Sequence, residues 1–554
     1  MRNFLLLLLF VSPSLLFGQH HLIEYTSYFG SQEKKLATID EQTIAIASAN
    51  GKNYISNKAH LKDNRLVNEP YIIIESPSTF LTSVILKTGE QLWQIDSTTL
   101  KSSTFKKEDK TKKIAGYTAQ LYTTDVNSNR IHVWVTNDIA GNVGPNTTGI
   151  QHGVVLEYIV NEHNRITATK ITKLKTLPKP MQHETPTNFV NRLDFRDKYW
   201  KSLFIQIPIF DSVELGFKPN QVIKDKDPLV QFAGNGSVIY KAVTFPKFTD
   251  TESIFLEVNQ SSAGDAYDRT GTVFFFTEEQ KPALLKAWNE DLKLLPAYPQ
   301  GSDTYHGTDR SGDYQPVYEL MRFFTSFGAG KFSSFQMKNR TWATGSNYKQ
   351  DISEYSSLLD GKTVYVGMFI GTWTEHAHLV SANISLHPEG NPQKENVIAL
   401  FNTVAIMEMA GSGYPHHFLD KEGIVVEFEL EKDVKDAQFR FTTTGHGGHG
   451  DGDEFVPKMN RIRLDDQGVF QIIPWRSDCA TYRNQNPVSG NFPNGLSSSD
   501  ISRSNWCPGQ VTNPYWIPLG DLKAGKHKLQ LIIDEEPSSE GKLNMWFVSG
   551  QLFY

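Results

Sequence analysis

Apolar and polar positions alternate in short runs along most of this chain, with Gly, Pro, Asn or Asp between the runs. In the first third, residues 71–75, 80–86, 117–123 and 131–135 read as strands. A lysine-rich stretch between them, 106–113, reads as an exposed loop. Beyond residue 234 the signal strengthens. The runs 271–277 (GTVFFFT), 363–369 (TVYVGMF), 423–430 (GIVVEFEL), 437–443 (AQFRFTT), 528–533 (KLQLII) and 543–548 (LNMWFV) are rich in β-branched and aromatic residues. One helical stretch, near 278–294, breaks the series. Strands and helices do not alternate, so the pattern predicts an all-β chain of antiparallel sheets. Pro178, Pro180 and Pro186, among Lys, Thr and Gln, predict a connecting segment over 179–233.

The first residues bear on location. Met1-Arg2-Asn3 is followed by a nearly unbroken apolar run over 4–17, and Gly18 precedes the polar Gln19-His20-His21. This reads as a secretory signal peptide, 1–18, so the mature chain is expected to be secreted or periplasmic. No later run is long and apolar enough for a membrane anchor. The 55 Lys and Arg stand against 61 Asp and Glu, a net charge of −6, which argues against a nucleic-acid partner. Aromatic residues at 12% suit strand-rich folds and sugar-facing surfaces. The two cysteines, Cys479 and Cys507, exclude a thiolate metal cluster. In an exported chain they are expected to pair, which is worth roughly 3–4 kcal/mol for a loop of that size.

Three clusters could carry chemistry. Residues 445–454 combine five glycines with His446, His449, Asp451, Asp453 and Glu454, which suits either a metal-binding loop or a flexible solvated one. Asp265, Asp268 and Arg269 precede the 271–277 strand, as a structural ion pair or as a site. His376 and His378 fall on one face if they share a strand, and His416-His417 could add ligands.

Seven short matches occur in order. They are 265–269, then Tyr318-Glu319-Leu320-Met321-Arg322-Phe323-Phe324-Thr325, and 357–361 leading to Gly371-Thr372-Trp373. Gly445-His446, Glu454, the Asn-rich loop after Cys479, and Arg503 with Trp506-Cys507-Pro508-Gly509 complete the set. Over its last 320 or so residues the chain thereby resembles the peptide-N-glycosidase F family, amidases that cleave the N-glycan–asparagine bond. The stretches Gly116-Tyr117, residues 131–136, Gly144-Pro145 and 149–157 also resemble exported half-barrel envelope proteins of bacteria.

The resemblance implies two adjacent eight-stranded jelly rolls, 234–388 and 389–554, with the active site between them. A half-barrel domain, 19–178, precedes them. It implies catalytic roles for Asp268, Glu454 and Arg503, and sugar contacts from Arg269, Gly371, Trp373, Gly445, His446 and Trp506. Trp373 and Trp506 would stack on the chitobiose sugars. It implies no cofactor and no metal, a monomer, and N-glycosylated proteins and glycopeptides as partners.

The chain departs from the family in a few places. Gly371 stands where the family has a third glutamate, which suggests room for a core α1,3-fucose on the proximal GlcNAc. Gly452 and Val456 replace two cysteines beside the glutamate, and Thr444 replaces a tryptophan. Two other readings compete. One is a copper monooxygenase of paired jelly rolls, with His376, His378 and Met407 or Met409 as ligands. The other is a glycan-binding module without catalysis.

Overall fold

The runs of alternating and β-branched residues form antiparallel sheets throughout a computed structural model. It describes residues 20–29, 34–35, 43–49, 51–62, 67–96, 104–178, 186–248, 253–300, 303–329, 341–387, 396–404, 406, 416–447, 452–488, 495–537 and 544–554. Residues 1–18, 179–185, 448–451, Met407 and Met409, on which expectations were placed, lie outside the described residues.

The chain divides into two units, Met1–Leu203 and Phe204–Tyr554. The first is built on one twelve-stranded antiparallel sheet that does not close on itself. Its central strand, His20–Phe29, pairs with Asn164–Leu174 on one side and Thr43–Ser48 on the other. The lysine run expected as a loop is instead a strand, Lys106–Ile114, at one end of the strand order. The reason lies in its position. An edge strand leaves backbone groups unpaired, and exposed lysines there discourage pairing with other chains.

The second unit contains two sandwiches. In the first, a four-stranded sheet (Ile205–Leu215, His378–His387, Ser253–Ser262, Gly345–Asp351) faces a six-stranded one. The latter runs Gln231–Ala233, Val238–Thr244, Thr363–Ile370, Thr270–Phe276, Tyr318–Phe324, Val511–Thr512. Ile254, Leu256 and Val258 from one sheet pack with Val273, Phe275 and Val366 from the other in a single core. The second sandwich pairs two four-stranded sheets over its own core of Ile424, Val426, Phe439, Phe441 and Leu552. It has the eight strands expected. The first has more, because its sheet is extended at one edge by Gln231–Ala233 and at the other by Val511–Thr512 from the second half of the sequence.

The segment 179–233, expected to connect domains, contains a helix, Arg192–Leu203, and the strand Ile205–Leu215. Pro208 and irregular pairing around Phe210 break the strand's alternation.

A buried ionic cluster joins the sandwiches. In Tyr318–Phe324, an irregularity opposite Val273 and Phe274 places Glu319 and Arg322, three residues apart, together rather than on opposite faces. Arg322 grips the Glu319 carboxylate through Nε and Nη2, both at 2.9 Å. It also donates to the Phe547 carbonyl of the second sandwich. Arg440, from the strand Val434–His446, donates to the carbonyls of Glu319 and Leu320, both at 3.0 Å, and pairs with Glu354 at 3.2 Å. Charges buried this deeply persist only when paired and hydrogen-bonded, so the cluster fixes how the sandwiches meet.

Candidate active site

Asp268 lies in the turn between the strands Ser253–Ser262 and Thr270–Phe276. The Asp265 carboxylate organises that turn. It accepts from the Tyr267 N–H at 3.0 Å, from Arg269 Nε at 2.7 Å and from Thr372 Oγ1 at 2.6 Å. Burial alone would raise its pKa, but Arg269, Thr372 and the Tyr267 amide hold it below the usual value. Asp265 thus ties the Asp268 turn to the loop carrying Gly371, Thr372 and Trp373.

Glu454 follows the second sandwich's longest strand, Val434–His446, and Arg503 comes from the segment before Val511–Thr512. Backbone pairing of Arg503 with Arg476 (2.9 and 3.0 Å) and of Ser504 N–H with the Glu454 carbonyl (2.9 Å) places them side by side. Ser504 Oγ adds a bond to the Asp453 carbonyl at 2.6 Å. The Arg503 guanidinium is fully buried and lies 4.3 Å above the Trp506 ring. Its Nη1 donates to Glu454 Oε1 at 2.6 Å and to Asp268 Oδ2 at 3.2 Å. One acid from each sandwich therefore shares a single cation. Burial pushes the Glu454 pKa up to about 7; Arg503 opposes the rise and the Asp268 charge adds to it.

Other expected contacts divide. Trp373 is 50% exposed, with the Phe217 ring edge-on at 5.0 Å, so it has a face to offer a sugar. Arg269 is partly exposed while bound to Asp265. Gly371 donates its N–H to the Thr270 carbonyl at 3.0 Å. A β-carbon there would lie 3.4 Å from the Phe369 ring, ordinary contact, so the position has room for a side chain.

Trp506, expected to stack on sugar, is corrected. It is only 2% exposed, with Phe324 stacked at 4.2 Å and Arg503 above it, and its indole N–H donates to the Gly445 carbonyl at 2.9 Å. Its rings support Arg503 instead. Gly445 and His446 are corrected on the same grounds. The Gly445 N–H is spent on the Ser504 carbonyl, and His446 is buried against Phe324 and Phe547 with its ring bonded to Thr444 at 2.9 Å. Burial, with Arg322 and Arg503 nearby, holds the His446 pKa well below the ordinary imidazole value.

The histidines proposed for copper do not converge. The strand begins only at His378, which is buried and bonded to Gln260 at 3.0 Å, while exposed His376 bonds Glu214 at 2.8 Å. Cys479 and Cys507 form a disulfide beside Trp506. The sequence missed Asp265 as an organiser, although an aspartate can cap a turn by accepting from the N–H two residues on. It also missed Ser504, for which no signal exists.

The fold and this cross-sandwich acid pair define a class of paired-jelly-roll protein, and the comparisons name it. Residues 206–386 match the family model Peptide-N-glycosidase F, N terminal, and 413–553 match Peptide-N-glycosidase F, C terminal. Residues 26–197 match the N-glycanase peptide, N-terminal domain. A structure of PNGF-II in space group P21 is 39% identical, covering 97% of this chain and 99% of its own, with a TM-score of 0.85. PNGF-II in space group C2 gives 38%, 97%, 98% and 0.80. The chain belongs to the peptide-N-glycosidase F family. A structure of PNGase F, a glycosylasparaginase from Flavobacterium meningosepticum, is 15% identical over 63% of this chain and 95% of that one, with a TM-score of 0.42. No curated protein matches.

Proposed function

We propose that this protein is a peptide-N4-(N-acetyl-β-glucosaminyl)asparagine amidase. It hydrolyses the bond between Asn and the proximal GlcNAc of N-linked glycans, releasing the glycan intact and leaving Asp. The observation that carries this reading is the Arg503 guanidinium held between Asp268 and Glu454. Water adds to the amide carbon, the C–N bond breaks, and the departing glycosylamine nitrogen takes a proton. Such a reaction needs a polarised water, a stabilised oxyanion and a proton donor. Asp268 does the acid–base work at the water and the glycosidic nitrogen. Glu454, ionised against Arg503⁺, orients the water, and Trp373 stacks on the proximal sugars.

Two finer points belong to the same reading. A core α1,3-fucose on the proximal GlcNAc is accepted, a reading supported by the missing side chain at Gly371, where a glutamate would exclude it. The apolar start of the chain and the disulfide suit an exported protein, read here as a monomer acting on glycoproteins and glycopeptides.

Mass spectrometry of a glycopeptide incubated with the protein and EDTA tests the activity. Intact free glycan and a peptide with Asp in place of Asn are expected. A single GlcNAc left on the peptide, or no reaction until EDTA is omitted, would overturn it. Gly371→Glu should abolish hydrolysis of the core α1,3-fucosylated substrate and spare the plain one; equal loss on both refutes the fucose assignment.

A further inference from the structure

We infer that a polar cavity beside the Trp373 loop is a subsite for the outer, neutral sugars of a branched glycan; this rests on the peptide-N-glycosidase reading above. The cavity, about 670 Å³, lies between residues 218–236 and the end of the helix Lys281–Asn289. That volume falls within the roughly 300–1,000 Å³ of small-ligand sites.

Its lining is amide-rich, with Gln221, Gln231, Asn235 and Asn289 around Trp288. Each amide offers two donors and an acceptor, which suits the adjacent hydroxyls of a sugar ring. The charges of the lining balance. Lys218 pairs with Glu214 at 2.7 Å, and Lys224 and Asp225 bring one charge of each sign. Neutral hexoses therefore fit better than acidic sugars.

The wall is firmly seated. Gly236 adopts φ +92°, and a β-carbon there would come within 2.5 Å of the Gly216 carbonyl and 2.6 Å of Ile223. The wall is also continuous with the loop that presents Trp373. The Phe217 N–H donates to the Thr374 carbonyl at 2.8 Å, Gln221 Nε2 reaches Glu375 at 3.3 Å, and the Phe217 ring meets Trp373. The path inferred for the glycan starts between Asp268 and Glu454 and crosses Trp373, whose loop these contacts join to the cavity wall.

The test uses the full chain and two glycopeptides of identical peptide sequence, one carrying chitobiose alone and one a branched neutral mannose glycan. The variant is Gln231→Ala/Asn289→Ala, whose side chains are exposed and belong to none of the proposed catalytic groups. We expect it to lower kcat/KM on the branched substrate about tenfold, the weight of one or two neutral hydrogen bonds, with the chitobiose substrate unchanged. Equal loss on both substrates, or loss on neither, overturns the subsite. Saturation-transfer NMR with the free branched oligosaccharide reads the site without hydrolysis. Signal from the outer mannoses that vanishes in the double variant supports the subsite even if neither glycopeptide is cleaved, whereas its absence in the parent protein overturns it. Failure of hydrolysis in the parent protein counts against the amidase reading alone.

Discussion

Replacing Arg503 with methionine keeps most of the side-chain volume over Trp506 but removes the cation that Asp268 and Glu454 share. In the parent protein, burial has already raised the Glu454 pKa to about 7 from an ordinary 4.5, against the pull of Arg503. An opposite charge in contact lowers a carboxyl pKa by about 1–3 units, so its loss should raise Glu454 by a similar amount. The assay is kcat/KM for glycopeptide deamidation across pH 5–9, followed by mass spectrometry. Activity of the parent should rise with pH through a midpoint near 7, as Glu454 ionises. In Arg503→Met that midpoint should move alkaline by at least about one unit, with a lower plateau. Stability gives an independent readout. Because the folded pKa lies above the unfolded one, this group's contribution is fully present below pH 4.5 and is lost as pH rises through 7. The difference across that window is about 3 kcal/mol at 1.36 kcal/mol per unit, and Glu454→Gln should remove it from the pH-stability profile. A parent midpoint near 4.5, or one unmoved by Arg503→Met, would refute the reasoning.

Asp268→Asn should lower kcat by about 10²–10⁴-fold with little change in Tm, as expected for a group that handles protons rather than packing. Trp373→Ala should raise KM for glycopeptides while leaving Tm nearly unchanged; Trp506→Phe should do the reverse, lowering Tm through lost support for Arg503, and a KM effect confined to Trp506 would contradict the burial argument. Glu319→Gln should destabilise the protein by about 3–5 kcal/mol in urea denaturation, because Arg322 stays buried without its anion. Replacing Cys479 and Cys507 together by serine should cost roughly 3–4 kcal/mol in the same measurement, and activity should fall with it because Trp506 adjoins the bridge.

The strands were legible wherever β-branched and aromatic residues clustered: 271–277 was read and Thr270–Phe276 found, and the helix read near 278–294 is centred on Lys281–Asn289. Elements with charged or interrupted patterns were not. The strand Lys106–Ile114 carries lysines because it is an edge, and Ile205–Leu215 is disguised by Pro208 and bulges. For the site, the resemblance supplied Asp268, Glu454 and Arg503, and the geometry brings these three together. It failed at Trp506, Gly445 and His446 because sequence does not say which residues the packing covers. That is settled by Phe324, 182 positions away from Trp506 in the chain. The Glu319–Arg322 pair was hidden for a different reason: period-two alternation puts residues three apart on opposite faces, and only the bulge reunites them.

The short strand Val511–Thr512 has a bearing on heredity. It comes from the second half of the sequence yet completes a sheet of the first sandwich, a few residues from Arg503. A gene cut between the two sandwiches would leave one product with a bare strand edge and a Glu354 that has lost its cation, and the other with a stray strand and an orphaned Arg440. Neither fragment is a viable cassette for recombination. On this account the paired sandwiches are transmissible only as one piece.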